Sequence, residues 1–277
     1  MSGKLFVVGT PIGNLSDMTF RAIETLKKVD FVACEDTRVS AKLLNYFEIK
    51  KPLVSYYEHN IRASGEKIIE RIQAGESCAV ITDAGMPCIS DPGEDLVRLC
   101  HENQIKVEVV PGPSAVISAL AISGQLTSRF SFEGFLSTTK RNRFEHLASV
   151  KNDTRTLIFY EAPHKLLATL KDMLEFFGDR SISLCRELTK IHETIFKTTI
   201  SQALKYYTNN NPKGEFVLVI EGMSKNDMEE ITTIKQAIEK VKELVEKGMR
   251  SADACKEIAK ITTFSKGELY SEYLSIK

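Results

Sequence analysis

Short apolar runs alternate with amphipathic stretches along the first 110 residues of the chain. The runs are rich in β-branched side chains and bounded by polar turns, which predicts strands. The stretches between them repeat apolar residues at helical spacing, as Ile68, Ile69 and Ile72 do, which predicts helices. The predicted strands are 4–8, 31–34, 53–57, 78–82 and 106–110, and the predicted helices are 19–28, 39–47, 61–74 and 92–103. This βαβ series predicts a mostly parallel sheet covered by helices.

A second α/β pattern begins near Ser123, and a helical pattern follows it. The second pattern predicts strands at 130–135, 156–160, 182–186, 193–199 and 215–221, with helices at 143–150, 164–177 and 201–207. The remainder predicts helices at 234–247, 251–261 and 266–274, the last two resembling a helix-turn-helix. Ser251 is the predicted cap of the second, and Ser265 with Glu268 the predicted capping box of the third. We therefore expect two α/β domains, 1–122 and 123–222, and a helical tail, 223–277.

Composition narrows the class of protein. The 37 Lys and Arg balance the 37 Asp and Glu, so any polyanion site must be local. Lys140, Arg141 and Arg143 fall together, which suits either a phosphate-binding patch or a solvated helix face. No apolar run reaches the roughly 20 residues that cross a bilayer, so we expect no membrane partner and a cytoplasmic location. The six cysteines include no C-x-x-C pair, so we expect no metal.

The loops that follow the predicted strands carry the candidate chemistry, because ligands bind beyond the carboxyl ends of parallel strands. The loop after Val8 lacks the G-x-G-x-x-G and P-loop patterns, which disfavours nicotinamide cofactors and nucleoside triphosphates. The loop at 82–93 is rich in Pro, Gly and Asp. In this loop, Asp83 is placed to bind a ribose or an ammonium group. Ser90 or Asp91 is predicted to cap the next helix. The loop at 110–115 offers Ser114 as a helix cap or a ligand contact.

Eight motifs occur in an order that carries a resemblance. They are GTPIGN (9–14), EDTR (35–38), EHN (58–60), DAGMP (83–87) with SDPG (90–93), PGPSA (111–115), FEGFL (132–136), YEAPHK (160–165) and RELTK (186–190). Together they resemble the bacterial small-subunit ribosomal RNA methyltransferases of the tetrapyrrole-methylase superfamily. The likeness runs from about residue 4 to 222, and the tail resembles that family's C-terminal helix-turn-helix.

The resemblance implies a fold, a reaction and partners. The fold is two α/β domains of the class III methyltransferase type, plus a small helical segment. The reaction is methyl transfer from S-adenosyl-L-methionine to the ribose 2′-oxygen of cytidine 1402 in 16S rRNA of the small ribosomal subunit. A homodimer is also implied.

The resemblance further implies roles for individual residues by motif position. The cofactor-binding residues are Pro11, Asp83, Ala84, Gly85, Ser90, Ser114, Ala115, Tyr160 and Glu161. The catalytic candidates are Arg186, Glu187 and Lys190, with Asp36 and Arg38 at a facing strand end. The substrate-binding candidates are Glu35, His59, Asn60, Lys140, Arg141, Arg143 and His164.

The proton acceptor remains open at this stage. Glu187 is one candidate, and Lys190 is another if burial and Arg186 lower its pKa. An ion-pair network that only braces the domain interface is the structural alternative for these charged residues.

Two other functions remain open as well. One is a porphyrinoid methyltransferase of the same superfamily, which would have apolar pocket walls and no basic rim. The other is a non-catalytic nucleic-acid-binding factor that uses the C-terminal helices. Their 10 basic and 10 acidic side chains match duplex binding poorly.

Overall fold

The computed structural model describes residues 3–57, 61–224, 233–246 and 248–276. It divides into two compact units, Met1–Gly222 and Met223–Lys277. The first unit contains two five-stranded sheets and the second is helical. None of the helices in the described ranges combines the length and apolar character needed to cross a membrane.

The first sheet is parallel throughout. Its strands are β1 (Lys4–Val8), β2 (Phe31–Cys34), β3 (Leu53–Ser55), β4 (Cys78–Ile81) and β5 (Lys106–Val110), in the order β3-β2-β4-β1-β5. The helices are α1 (Phe20–Lys28), α2 (Thr37–Tyr46), α3 (Ile61–Gln73) and α4 (Glu94–Glu102). Strands β2 and β4 are fully buried because helices cover both faces of the sheet. The carboxyl ends of all five strands therefore meet at one edge.

Helix α5 (Ala115–Ser123) connects the two sheets. It is apolar on all sides, and Val116, Ala119 and Leu120 pack against Ile158 and Val217 of the second sheet. Gly124 ends the helix in the left-handed conformation, which glycine adopts without a steric cost.

The second sheet is mixed. Its strands are β6 (Phe130–Phe135), β7 (Thr156–Glu161), β8 (Ser181–Arg186), β9 (Thr194–Thr199) and β10 (Phe216–Ile220), in the order β6-β7-β10-β8-β9. Only β6 and β7 pair in parallel. Helices α6 (Lys140–Val150), α7 (Leu166–Phe177) and α8 (Ile200–Asn209) cover the face opposite α5. Because β10 runs antiparallel to β7 and β8, its amino end lies beside their carboxyl ends.

The second unit consists of α9 (Ile234–Glu246), α10 (Ser251–Ile261) and α11 (Lys266–Ser275) around a small core. The predicted capping box is confirmed, because Ser265 and Glu268 each accept a hydrogen bond from the other's backbone N–H. The predicted cap at Ser251 is wrong. Ser251 is the first helical residue, and Arg250 occupies the cap position without a side-chain hydrogen bond. The helix-turn-helix and the three-domain division stay predictions.

Candidate cofactor and substrate site

The three predicted loops of the first sheet are joined by backbone hydrogen bonds. Thr10 and Gly85 form an isolated antiparallel bridge, with N···O distances of 2.9 and 3.2 Å. The buried Thr10 hydroxyl donates to the Thr82 carbonyl oxygen at 3.1 Å, and Gly9 N donates to Val110 O at 3.0 Å. These hydrogen bonds hold the loop after β1 to the loop after β4 and to the end of β5.

The first and third loops approach so closely that only glycine fits. A Cβ built on Gly9 would lie 2.7 Å from Cα of Gly112 and 2.7 Å from Sδ of Met86. A Cβ built on Gly112 would lie 2.9 Å from Cα of Gly9. Real Cβ atoms do not reach such distances, so these two glycines set the spacing of the loops.

The loop from 83 to 93 contains two non-glycine residues with positive φ, Cys88 at 71° and Ser90 at 61°. This conformation is uncommon for side-chain-bearing residues and concentrates at functional sites.

The prediction that Ser90 or Asp91 caps the helix after this loop is wrong. Helix α4 begins at Glu94, and Gly93 holds the cap position, so neither Ser90 nor Asp91 caps it through its side chain.

A cavity of about 450 Å³ lies between these loops and the second sheet. It is lined by Ile12, Ala84, Gly85, Met86, Ile89, Ser90, Asp91, Ser114, Ala115, Phe135, Tyr160, Glu161, Ala162, Pro163, Cys185, Leu188, Glu215, Phe216 and Val217. Seven of the nine predicted cofactor-binding residues are in this lining. Of the other two, Pro11 is buried next to Ile12, and Asp83 is exposed on the same loop as Ala84.

The lining residues fit a group that combines a zwitterionic amino acid with a nucleoside. Ser114 stands at the amino end of α5 without a capping bond, so its hydroxyl and the helix N–H groups can receive a carboxylate. Asp91 can receive a cationic group. Burial raises the pKa of Tyr160 to about 12, with Asp91 adding to the shift, so its hydroxyl remains a donor. The apolar side chains provide walls for a flat ring.

Glu161 is the one buried carboxylate of the lining. Its Oε1 accepts from the backbone N of Ala162 at 2.8 Å, and its Oε2 accepts from the Thr169 hydroxyl. Both oxygens therefore have partners within the chain. Glu161 thus fixes the corner between β7 and α7, and its predicted contact with the cofactor stays a prediction.

Three carboxylates, Glu35, Asp83 and Asp91, gather around Thr82, and Asp91 also lines the cavity. Partial desolvation raises the pKa of Glu35 and of the more exposed Asp83, and the charge on Asp83 adds to the rise for Glu35. Asp91 shows the largest shift. Burial raises the pKa of Asp91 to about 6, the Thr82 hydrogen bond partly offsets this, and the charges on Glu35 and Asp83 raise it further. The site therefore contains a carboxylate whose pKa is about 6.

The raised pKa of Asp91 gives a pH prediction. The folded protein binds this proton more tightly than the unfolded chain does, so the group's contribution to stability is lost as pH rises through about 6. We expect Asp91→Asn to raise the Tm of the ligand-free protein at pH 7 and to weaken binding of a cationic ligand there. Thermal denaturation and calorimetry from about pH 5 to 8 measure both effects. The exposed Asp253→Asn is the control; an equal response from both variants would contradict the assignment.

The predicted catalytic residues Glu187 and Lys190 form an ion-pair network with Glu215. Nζ of Lys190 lies 2.9 Å from Oε1 of Glu187 and 2.7 Å from Oε2 of Glu215. The backbone N of Glu215 donates to Oε1 of Glu187 at 2.9 Å. A Cβ on Gly214, whose φ is +81°, would lie 2.6 Å from Cγ and Cδ of Glu187. Through Leu188 and Glu215 the network borders the cavity.

The pKa values of Glu187 and Lys190 shift in opposite directions. The Lys190 hydrogen bond holds the pKa of Glu187 below its usual value, although burial opposes the shift. Burial also lowers the pKa of Lys190, but hydrogen bonds to Glu215 and Glu187 outweigh it, so the net pKa is raised. The condition under which Lys190 would be the proton acceptor is therefore not met. Of the two, Glu187 is the side chain whose pKa is held low, and its predicted role as proton acceptor stays a prediction.

Arg186 lies on the other face of β8 from Cys185 and does not line the cavity described above. Its Nε donates to the Lys213 carbonyl oxygen at 2.6 Å. It lowers the pKa of Glu187 only as a minor contributor, after Lys190. Its predicted catalytic role stays a prediction.

Asp36 and Arg38 pair with each other at the start of α2. Asp36 caps the helix, accepting from the Arg38 backbone N at 2.8 Å, and its Oδ2 lies 2.7 Å from the Arg38 guanidinium. The Arg38 hydrogen bonds lower the pKa of Asp36 to about 2. The Arg38 side chain is nevertheless 87% exposed, so a phosphate can still approach it.

The predicted basic patch divides into two parts. Arg143 is largely covered, with its Nε 2.7 Å from Oδ2 of Asp172, and it donates to two backbone carbonyls, which ties α6 to α7. The structure therefore does not support a phosphate contact by Arg143. Arg141 is exposed and pairs with Glu145 along α6, and Lys140 lies over the Phe144 ring. These two remain candidates.

The predicted histidines have different positions. His164 is exposed beside Pro163 of the cavity. His59 and Asn60 lie outside the described residues. No group of three or more His, Cys, Asp or Glu residues suited to a metal occurs within the described ranges.

Sequence reasoning missed much of the lining. Glu215 is the first residue of a predicted strand, whereas the strand-end rule for parallel sheets points to residues that follow strands; the antiparallel β10 brings Glu215 to the site. The apolar side chains Ile12, Met86, Leu188 and Val217 gave no signal distinct from core residues. Phe135 belongs to a motif that was noticed but received no role.

Comparisons with known proteins give the family. A model described as "Tetrapyrrole (Corrin/Porphyrin) Methylases" matches residues 4–204. A curated Synechocystis relative named "Ribosomal RNA small subunit methyltransferase I" is 45% identical over 276 residues, 99% of each chain. A Bacillus subtilis relative of that name is 43% identical over 274 residues, 98% of this chain and 94% of its own. A Thermotoga maritima relative of that name is 47% identical over 220 residues, 79% of this chain and 99% of its own.

Solved structures agree on the fold. A uroporphyrin-III-C-methyltransferase from Thermus thermophilus has a TM-score of 0.56 at 18% identity, covering 78% of this chain and 94% of that one. A diphthine synthase has a TM-score of 0.60 at 13% identity, covering 79% and 90%. At these identities the likeness concerns the fold alone. The resemblance inferred from the eight motifs and the fold class it implied are confirmed, and the chain belongs to the Tetrapyrrole (Corrin/Porphyrin) Methylases family.

Proposed function

We propose that this protein methylates the ribose 2′-oxygen of a cytidine, cytidine 1402, in small-subunit 16S rRNA. The observation that carries the proposal is the likeness to the Synechocystis relative, 45% identity over 99% of both chains. That relative's name specifies small-subunit ribosomal RNA. The position and the acceptor atom rest on the motif resemblance. S-adenosyl-L-methionine, predicted from the sequence, is the methyl donor of this family.

The cavity supports binding of this cofactor by the chain's own groups. Ser114 and the amino end of α5 would hold the carboxylate of the methionine part, and Asp91 its ammonium group. Tyr160 and the apolar walls would hold the adenosine. When bound, the cofactor supplies a methyl group on a positively charged sulfur.

The remaining task of the protein is to align the acceptor and take its proton. Alignment to about 3 Å between reacting atoms accounts for much of such a rate enhancement. Glu187 is ionised and fixed by Lys190 and the Glu215 backbone, so it can accept the hydroxyl proton as the new C–O bond forms. Protonated Lys190 holds Glu187 and Glu215 in place and balances their charge. The exposed Arg38 would bind a neighbouring phosphate.

The proposal extends to partners and location. We propose a homodimer, which is supported by apolar side chains that α5 and the following segment leave exposed, namely Ile117, Ile122, Leu126 and Phe130. Sedimentation velocity would contradict this by giving a monomer at micromolar concentration. We also propose an accessory role for the tail, such as docking of the ribosomal substrate. A cytoplasmic site of action follows from the ribosomal substrate.

The decisive experiment offers labelled S-adenosyl-L-methionine to the full chain with two acceptors. We expect label in small ribosomal subunits that lack the modification and none in uroporphyrinogen. Nuclease digestion then shows whether the methyl group is on a ribose 2′-oxygen. Label in the porphyrinoid alone would establish the alternative methyltransferase, and RNA binding without transfer would establish the non-catalytic factor.

A further inference from the structure

A second cavity, of about 290 Å³, opens beside β8, β9 and α8. It is lined by Arg186, Thr194, Phe196, Tyr206, Tyr207, Asn210, Asn211 and Lys213. The lining contains two cations, three aromatic rings and two amides, but no carboxylate. In a chain with equal numbers of acidic and basic residues, this combination selects an anionic ligand with a flat ring.

The aromatic side of this cavity is held in place by ring contacts. The Tyr206 ring packs against Phe196 and against Tyr207, each at a centroid distance of 5.0 Å. Tyr206 is nevertheless 47% exposed. A ring that is fixed on two sides and still open to solvent is a preorganised stacking surface, because little side-chain entropy remains to be lost on binding.

The cationic side is available for an anion. Arg186 lines the cavity and uses Nε to donate to the Lys213 carbonyl oxygen, which leaves its terminal nitrogens available for another acceptor. Within the described part of the chain, neither Arg186 nor Lys213 forms an ion pair with a carboxylate. Asn210 and Asn211 add amide groups that can both donate and accept hydrogen bonds.

The second cavity is one side-chain layer away from the first. Phe216 lines the first cavity, and its ring packs against Tyr207 of the second at 5.5 Å. Arg186 and Phe216 are paired in the register of β8 and β10, next to Glu187 and Glu215 of the ion-pair network. The ion-pair network and the second cavity thus involve adjacent residues of β8 and of the segment that leads into β10, within reach of one RNA strand.

We propose that this second cavity binds an unpaired nucleotide of the RNA strand that carries the acceptor ribose, with its base on Tyr206 and its phosphate at Arg186 and Lys213. The inference rests on the proposed function and assigns to that substrate a site separate from the cofactor cavity. Single-stranded RNA is commonly bound through stacking on aromatic side chains combined with Arg contacts. The site thus favours a looped or splayed segment over a continuous helix.

The test compares Tyr206 with a second exposed tyrosine that also packs against a neighbouring aromatic ring. Tyr46 is 63% exposed and packs against Phe47 at 5.0 Å, but it lies on α2, away from both cavities. With small ribosomal subunits as substrate, we expect Tyr206→Ala to raise KM about tenfold, the usual scale for one lost base stack, and Tyr46→Ala to leave it unchanged. Tyr206→Phe should retain most of the affinity. The kcat and the Kd for S-adenosyl-L-methionine should stay at wild-type values in all three.

Two further measurements keep the outcome clear. Lys213→Ala should reduce the slope of log affinity against log salt by about one contact. Ultraviolet cross-linking of wild-type protein to a 4-thiouridine RNA oligonucleotide should modify the peptide that contains Tyr206, which needs no variant to fold. If Tyr206→Ala and Tyr46→Ala have equal KM values and that peptide is unmodified, the inference is wrong while the proposed function stands. If wild-type protein transfers no methyl group to subunits, the proposed function fails and this inference fails with it.

Discussion

Replacement of Glu187 by Gln is expected to lower kcat by about 10²- to 10⁴-fold, the usual range for loss of a general base. Gln keeps the size and hydrogen-bonding reach of the side chain but cannot take a proton from a hydroxyl. Because Glu187 does not line the cofactor cavity, the Kd for S-adenosyl-L-methionine should change little. Single-turnover methyl transfer to subunits and calorimetry with the cofactor measure the two quantities separately.

Lys190→Met tests the same network from its cationic side. Loss of the Lys190 ammonium group leaves Glu187 and Glu215 without their shared partner, so the pKa of Glu187 should rise. The acidic limb of the pH profile of kcat should therefore move to higher pH. A bracing role alone would lower stability without moving that limb.

A matched control for Glu187→Gln exists on the first sheet. Glu108 on β5 pairs with Lys4 and Lys106, which lower its pKa as Lys190 lowers that of Glu187. Glu108→Gln makes the same chemical change away from the cavity and should leave kcat unchanged. Wild-type kcat in Glu187→Gln, or equal losses in the two variants, would exclude Glu187 as the proton acceptor.

The part of the molecule that sequence predicts well is the parallel sheet. Each of its strands is a short run rich in apolar and β-branched side chains, and its loops follow the strands at one edge, so periodicity and strand-end rules locate Ser114 and the loop at 83–93. Small errors lie at the boundaries. Strand β3 ends at Ser55 instead of Tyr57, and α4 begins at Glu94 instead of Pro92, because the strained turn at Ser90 and Gly93 delays the helix.

The strand directions of the second sheet could not be predicted from sequence patterns. Strand direction in a mixed sheet is set by which strands pair, and that depends on contacts far apart in sequence. Glu215 and Arg186 illustrate the consequence. The first reaches the cofactor cavity from the amino end of an antiparallel strand, and the second points to the opposite face of β8 from Cys185. Arg143 shows a related limit, because only the fold reveals the buried partner Asp172.

Replacement of Gly9 by Ala is expected to abolish measurable cofactor binding in the micromolar range. The new Cβ would meet the Gly112 backbone at 2.7–2.8 Å, and backbone cannot move aside as a flexible side chain can. The first and third loops must then separate, which displaces Ser114 from the cavity and costs about 1–3 kcal/mol of stability through overpacking. Calorimetry with S-adenosyl-L-methionine and thermal denaturation measure the two effects.

Gly112→Ala places a Cβ in the same close contact from the opposite loop. That Cβ would lie 2.9 Å from both C and Cα of Gly9. Once one Cβ has forced the loops apart, a second meets a gap already opened. We therefore expect the stability losses of Gly9→Ala and Gly112→Ala to be less than additive in the double variant. Gly267→Ala on α11 is the control, because its Cβ would meet only the Ser265 hydroxyl at 3.9 Å and should leave cofactor binding intact. Strict additivity of the two loop variants, or wild-type affinity in either, would mean that the glycine contact does not set the shape of the cofactor site.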